Sequence, residues 1–86
     1  KNSFTINKLH LFNLLQQNKQ MELIYSEAVF LTNRIEKPFG LSLYRLFDFY
    51  AEVYLNNDNN EIEKVRTFKS IEPLAPYLNE IDAGIK

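Results

Sequence analysis

Few side chains in this 86-residue chain are of types that do chemistry, and their spacing decides what is open to them. His10 is the single histidine, and there is no cysteine. One imidazole cannot by itself make a zinc site, and general acid–base work needs a partner within hydrogen-bond reach. Helical spacing puts Ile6 and Leu14 beside His10 rather than carboxylates, so it reads as a structural or surface histidine. Asn56, Asp58 and Asn60 alternate as the first ligands of a calcium loop do. Such a loop also needs glycine at its sixth position and a bidentate acid at its twelfth, where this chain has Glu61 and Thr67. The segment therefore reads as a solvated turn. The only glycines are Gly40 and Gly84, which leaves no glycine-rich phosphate loop. The expectation is a non-enzymatic protein with no catalytic residue, no metal and no cofactor.

One polar–aromatic group stands out. Glu52 lies between Tyr50 and Tyr54 on one strand face, with Arg45 and Lys64 placed to lie across the ladder. It can form a recognition patch, since tyrosine offers large area, a hydroxyl and little entropy to lose. It can equally be cross-strand pairing, Tyr–Arg stacking and a Glu–Lys contact. Base stacking by an RNA-recognition sheet would need glycine-spaced aromatics and basic flanks. Phe47-Asp48-Phe49-Tyr50-Ala51-Glu52 has no glycine and two acids, which argues against nucleic acid.

The elements that must position these residues are legible from periodicity. Ser3 or Thr5 can cap a first helix carrying Ile6, Leu9, Leu11, Phe12, Leu14 and Leu15, which ends or loosens over the polar run Gln16–Gln20. Residues 21–27 fit a helical turn or a strand start. From Ala28 the pattern is β, with Val29, Leu31 and Ile35 on one parity and Phe30, Thr32 and Arg34 on the other. Lys37-Pro38-Phe39-Gly40 matches a type I turn with proline at its second position.

Odd-position apolarity then runs from Leu41 to Leu55, interrupted by Arg45. A single strand of that length would far exceed the usual ~5–6 residues. A hairpin with Phe47-Asp48 as its loop, Asp48 taking a positive φ, is the better solution. It pairs Leu46 with Phe49 and Tyr44 with Ala51, placing Tyr44, Leu46, Phe49, Ala51 and Val53 on one face. Leu41, Leu43, Arg45, Tyr50, Glu52 and Tyr54 take the other. Asn56–Asn60 closes a second hairpin. In the returning strand 61–69, a β-bulge near Lys64 would bring Ile62, Val65 and Phe68 to one face. A C-terminal helix opens at Ser70-Ile71-Glu72-Pro73 with Leu74, Tyr77, Leu78 and Ile81 as its stripe. Pro76 imposes a 3-10 or irregular first turn, and the chain frays from Asp82.

The fold class expected is α+β: an N-terminal helix, a four-stranded antiparallel meander and a short C-terminal helix, in one domain spanning residues 1–86. Ten basic and eleven acidic side chains give a net charge of −1, without the basic excess that phosphate binding calls for. Apolar runs such as Ala28–Leu31 are far too short to cross a membrane. The absence of cysteine fits a reducing compartment, and a cytoplasmic location is expected.

The string Leu43–Tyr54, followed by a polar turn, Ile62, Val65, Phe68-Lys69-Ser70 and Leu74-x-x-Tyr77-Leu78-x-x-Ile81, resembles small uncharacterised bacterial proteins of a type frequent in Bacteroidetes. These carry an LYxL–turn–FYxEV hairpin and a closing LxxYLxxI helix, with glycine often in the turn where this chain has Phe47-Asp48. The resemblance covers roughly the last half of the chain. It implies the hairpin and brings no activity or site residue.

Two function classes follow. The first is a protein-interaction or self-assembly module using an aromatic sheet face, with a protein partner or a second copy, because the segment carries more apolar area than one small core can use. Its candidate interaction residues are Leu41, Leu43, Arg45, Tyr50, Glu52 and Tyr54. The alternative is a small-ligand or oligonucleotide binder using Tyr50, Tyr54 and neighbouring basic residues.

Overall fold

The computed structural model describes residues 7–70 and 72–77. The expected α+β architecture is present, with two helices where one was anticipated. Helix α1 spans Lys8–Leu14 and α2 spans Gln17–Glu27. Strands β1 (Val29–Glu36), β2 (Phe39–Leu46), β3 (Phe49–Asn56) and β4 (Glu61–Phe68) form an antiparallel sheet in the order β1-β2-β3-β4. A 3-10 turn at Glu72–Leu74 leads into a helical turn at 75–77, as Pro76 requires. Ser3 and Thr5 as caps, Leu78 and Ile81 of the last stripe, and the tail from Asp82 lie outside the described residues. No helix among the described residues is long and apolar enough to cross a membrane.

Asn7 caps α1, its Oδ1 accepting from the His10 backbone N–H at 3.1 Å. The chain breaks at Leu15 and Gln16, which are extended, so the helix ends where the polar run begins and the rest of that run is helical. That run opens α2. The buried Gln20 donates from Nε2 to the Phe12 carbonyl at 3.0 Å, which also accepts the Leu15 N–H at 3.1 Å, so one acceptor ties α2 to the end of α1. The break lets Phe12 of α1 and Ile24 of α2 reach one face of the sheet together. There they pack with Leu46, Phe49, Ala51 and Val53, and the Phe12 and Phe49 rings sit 5.4 Å apart.

The two-residue loop at Phe47-Asp48 closes the β2–β3 hairpin in the register expected, Leu46 opposite Phe49 and Tyr44 opposite Ala51. The left-handed residue is Phe47, with φ 57°, and not Asp48. The Asn56–Asn60 turn is built as its composition implies. Asn56 Oδ1 accepts from the Asp58 N–H at 2.8 Å, Asn59 Oδ1 accepts from the Glu61 N–H at 3.0 Å, and Asn60 takes φ 64°.

Three local expectations need correction. The β1–β2 turn consists of Lys37 and Pro38 joined by a cis peptide bond, so the proline takes the third position of the turn and Gly40 pairs within β2. In β1 the register slips between Phe30 and Thr32. Ile35, opposite Gly40, therefore shares the helix-covered face with Phe30, opposite Tyr44, while Thr32 and Arg34 lie on the other. In β4 the expected bulge is present, at Glu63 beside Lys64, and it unites Ile62 and Val65 on the helix face, but not Phe68. Phe68, an odd number of residues beyond Val65, falls on the opposite face and stacks on Tyr50 at 5.6 Å.

Candidate interaction surface

The face opposite the helices is where sequence reasoning placed the candidate site. Its centre is β2 and β3, and the C-terminal segment crosses it. Leu41 and Leu43 are fully buried there against Tyr77, with Phe39, Tyr50, Tyr54, Phe68 and Leu74 around them. They form a second small core, so neither is open to a partner. The surplus of apolar residues that motivated the site is largely consumed by covering both faces of the sheet.

Glu52 lies at the middle of this face and is 1% exposed. A buried carboxylate is costly unless its oxygens are bonded, and both of them are. Arg66 Nε donates to Oε1 at 3.0 Å and the Tyr77 hydroxyl donates to Oε2 at 2.6 Å. Arg66 stands opposite Glu52 because the bulge at Glu63 shifts the ladder by one residue, and Lys64 moves over the Tyr54 ring at 4.5 Å. The Glu–Lys contact anticipated from the sequence is thus a Glu–Arg pair. Burial, and next the hydrogen bond to Glu52, pushes the Tyr77 hydroxyl pKa well above the ordinary tyrosine value. Arg34 sits over the Tyr77 ring at 5.2 Å and opposes that shift. Burial first, then the Glu52 charge, also raises Tyr54.

The arrangement is a clamp. With each carboxylate oxygen engaged and the tyrosine proton held tightly, Glu52 and Tyr77 dock the C-terminal segment and present no free acid or base. Arg45 is exposed and lies over the Tyr50 ring at 5.9 Å, while the other side of that ring stacks on Phe68. Tyr50 and Tyr54 are half-buried and engaged within the chain. The six candidate residues are therefore neighbours on one face, as their parity implied, but they serve mainly to hold that face closed. Tyr77, which joins them, was visible in the sequence only as part of a helical stripe.

The remaining titratable residues stay apart. His10 is exposed on α1, and no group of three or more His, Cys, Asp or Glu able to hold a metal occurs among the described residues. An open apolar groove of about 330 Å³ lies between the helices and the β2–β3 loop, lined by Lys8, Leu11, Phe12, Leu15, Leu23 and Phe47. It contains one charged group, Lys8, whose Nζ lies 4.6 Å over the Phe47 ring.

Besides Leu11, Leu14, Leu15 and Phe47 on the α1 side, the exposed large apolar side chains lie on β1 and at the end of α2. Val29, Phe30, Leu31 and Ile35 of β1 are each 44–65% exposed, and Tyr25 at the end of α2 is 73% exposed. Strand β1 is an edge strand, and no strand pairs with its outer side among the described residues. The other edge, β4, carries Glu61, Glu63, Lys64 and Arg66, all exposed. The helices also lean on it: Gln17 Nε2 donates to the Ile62 carbonyl at 3.2 Å, and the Thr67 hydroxyl bonds Asn13 Oδ1 at 2.8 Å. Charge and covering elements are the usual protections of a sheet edge, and β4 has both. Strand β1 has a bulge at Leu31 and then a regular stretch from Thr32 to Glu36. No family model, curated protein or solved structure matches this chain.

Proposed function

We propose that this protein is a non-enzymatic interaction module that assembles with itself through edge strand β1. One contrast supports the reading. The chain guards β4 with charge and helix contacts, yet leaves Val29, Phe30, Leu31 and Ile35 exposed along β1. Scattered exposed hydrophobics are ordinary, but several of them along one unpaired edge strand are the feature that most readily templates association. The aromatic face is engaged by Tyr77 and Phe68, and of the apolar surface that remains, at the α1 groove and along β1, only that of β1 lies on a strand edge with unpaired backbone groups. Edge pairing supplies main-chain hydrogen bonds for affinity and side chains for selectivity.

Sedimentation velocity from micromolar to near-millimolar concentration tests the proposal. The expected result is a concentration-dependent shift from monomer to dimer, abolished by the double substitution Phe30→Ser, Ile35→Ser with the circular dichroism spectrum unchanged. Wild-type protein that stays monomeric throughout would contradict it.

A further inference from the structure

Resting on that reading, we infer that the occupant of the β1 edge is a second copy of β1, antiparallel, with its two-fold axis at Asn33, so that two four-stranded sheets become one of eight strands. A two-fold axis perpendicular to the sheet keeps each face continuous, so opposed residues must lie on the same face. The β1–β2 register puts Thr32 and Arg34 on the Tyr77 face and Asn33 and Ile35 on the helix face. That parity removes every register that opposes Thr32 to Asn33. Of the remaining registers, an axis at Arg34 sets two guanidinium groups against each other, a like-charge pair that destabilises a ladder. An axis at Thr32 opposes Leu31 to Asn33 and carries the ladder through the bulge to set Ile35 against Val29, whereas an axis at Ile35 pairs only the end of the strand and leaves Phe30 and Leu31 uncovered.

The axis at Asn33 opposes Asn33 to itself, Thr32 to Arg34, and Leu31 to Ile35. Leu31 is the bulged residue, and a bulge sets two side chains against one. Phe30 and Leu31 of one copy therefore meet Ile35 of the other, twice by symmetry. These three residues are 52%, 44% and 65% exposed. No like charges are opposed in the regular stretch. The bulge confines pairing to Leu31–Ile35, short enough to give a reversible dimer and not a filament. The guarded β4 edge stops growth on the other side.

The absence of cysteine allows a direct test. Residues facing each other across an antiparallel dyad have Cα atoms about 4.5–5.5 Å apart, within the ~4.4–6.8 Å that a disulfide spans. Asn33→Cys should form a disulfide dimer under mild oxidation roughly ten-fold or more faster than Glu63→Cys on the other edge, since only the former thiols share a dimer. A mixture of Leu31→Cys and Ile35→Cys chains should cross-link to each other in preference to themselves, which guards against an effect peculiar to position 33. If wild-type protein dimerises in sedimentation but Asn33→Cys cross-links no faster than Glu63→Cys, the axis is overturned while self-association stands. If wild-type protein does not dimerise, both fall.

Discussion

The Tyr77 hydroxyl donates a 2.6 Å hydrogen bond to Glu52 Oε2, and both residues are 1% exposed. This contact joins the C-terminal segment to the middle of β3, 25 residues earlier in the chain, and closes the second face of the sheet. Removing the hydroxyl strands a charged acceptor out of reach of water. Tyr77→Phe is expected to lower stability by about 1–3 kcal/mol in urea denaturation, although it deletes one atom.

Arg66 and Glu52 are not equivalent partners. Arg66 is 45% exposed and can return to water, whereas Glu52 cannot. Arg66→Met should therefore cost about 2–3 kcal/mol, because it leaves a buried carboxylate with one donor fewer. Glu52→Gln, which keeps the shape and an acceptor for Tyr77, should cost about 1 kcal/mol. Equal losses in the two variants would mean that the cluster is solvated.

The raised Tyr77 pKa has a signed consequence for alkaline stability. Above the ordinary tyrosine value of 10.0 the unfolded chain loses this proton while the folded chain keeps it. The unfolded state then binds fewer protons, so stability falls as pH rises. The contribution is complete below about pH 10 and is lost above it. Tyr54 and Tyr44, also raised, act in the same direction. Urea midpoints should show no pH dependence from Tyr77 near neutrality and should drop at alkaline pH, less steeply in Tyr77→Phe than in wild type.

Phe47 carries a bulky side chain at φ 57° with 45% of its surface exposed. A left-handed backbone costs a non-glycine residue about 1–2 kcal/mol, and glycine returns about 0.4–1 kcal/mol of that as unfolded-state entropy. Phe47→Gly should thus stabilise the protein modestly, by up to about 1 kcal/mol. At Asn60, φ 64°, Asn60→Val should destabilise by about 1–2 kcal/mol, since a β-branched residue tolerates this region worst. Thermal melts of the two variants should move in opposite directions.

Much of this fold could be read from local pattern, because a two-residue loop dictates register and register dictates faces. That logic placed Leu46 opposite Phe49 and put Leu41, Leu43 and Glu52 on one side. It failed where one residue is added to a strand. The bulge at Glu63 was legible from the three-residue spacing of Ile62 and Val65, but its effect was carried too far, to Phe68; the bulge at Leu31 is announced by no residue type, so Ile35 was assigned to the wrong neighbours. The second helix was missed because packing holds it, Ile24 reaching the sheet core and Gln20 bonding back to the Phe12 carbonyl eight residues earlier. The clamp was hidden for a similar reason. Glu52 looks like a solvent-facing residue until Tyr77 arrives over it, and only tertiary structure brings the two together.

Hydrogen exchange followed at two protein concentrations tests the central claim, assembly through β1, most directly. In an edge-paired dimer the outward backbone N–H groups of Leu31–Ile35 gain partners, so their exchange should slow as concentration rises, while that of Glu61–Phe68 in β4 should not change. Exchange across β1 that is identical at both concentrations would contradict the account.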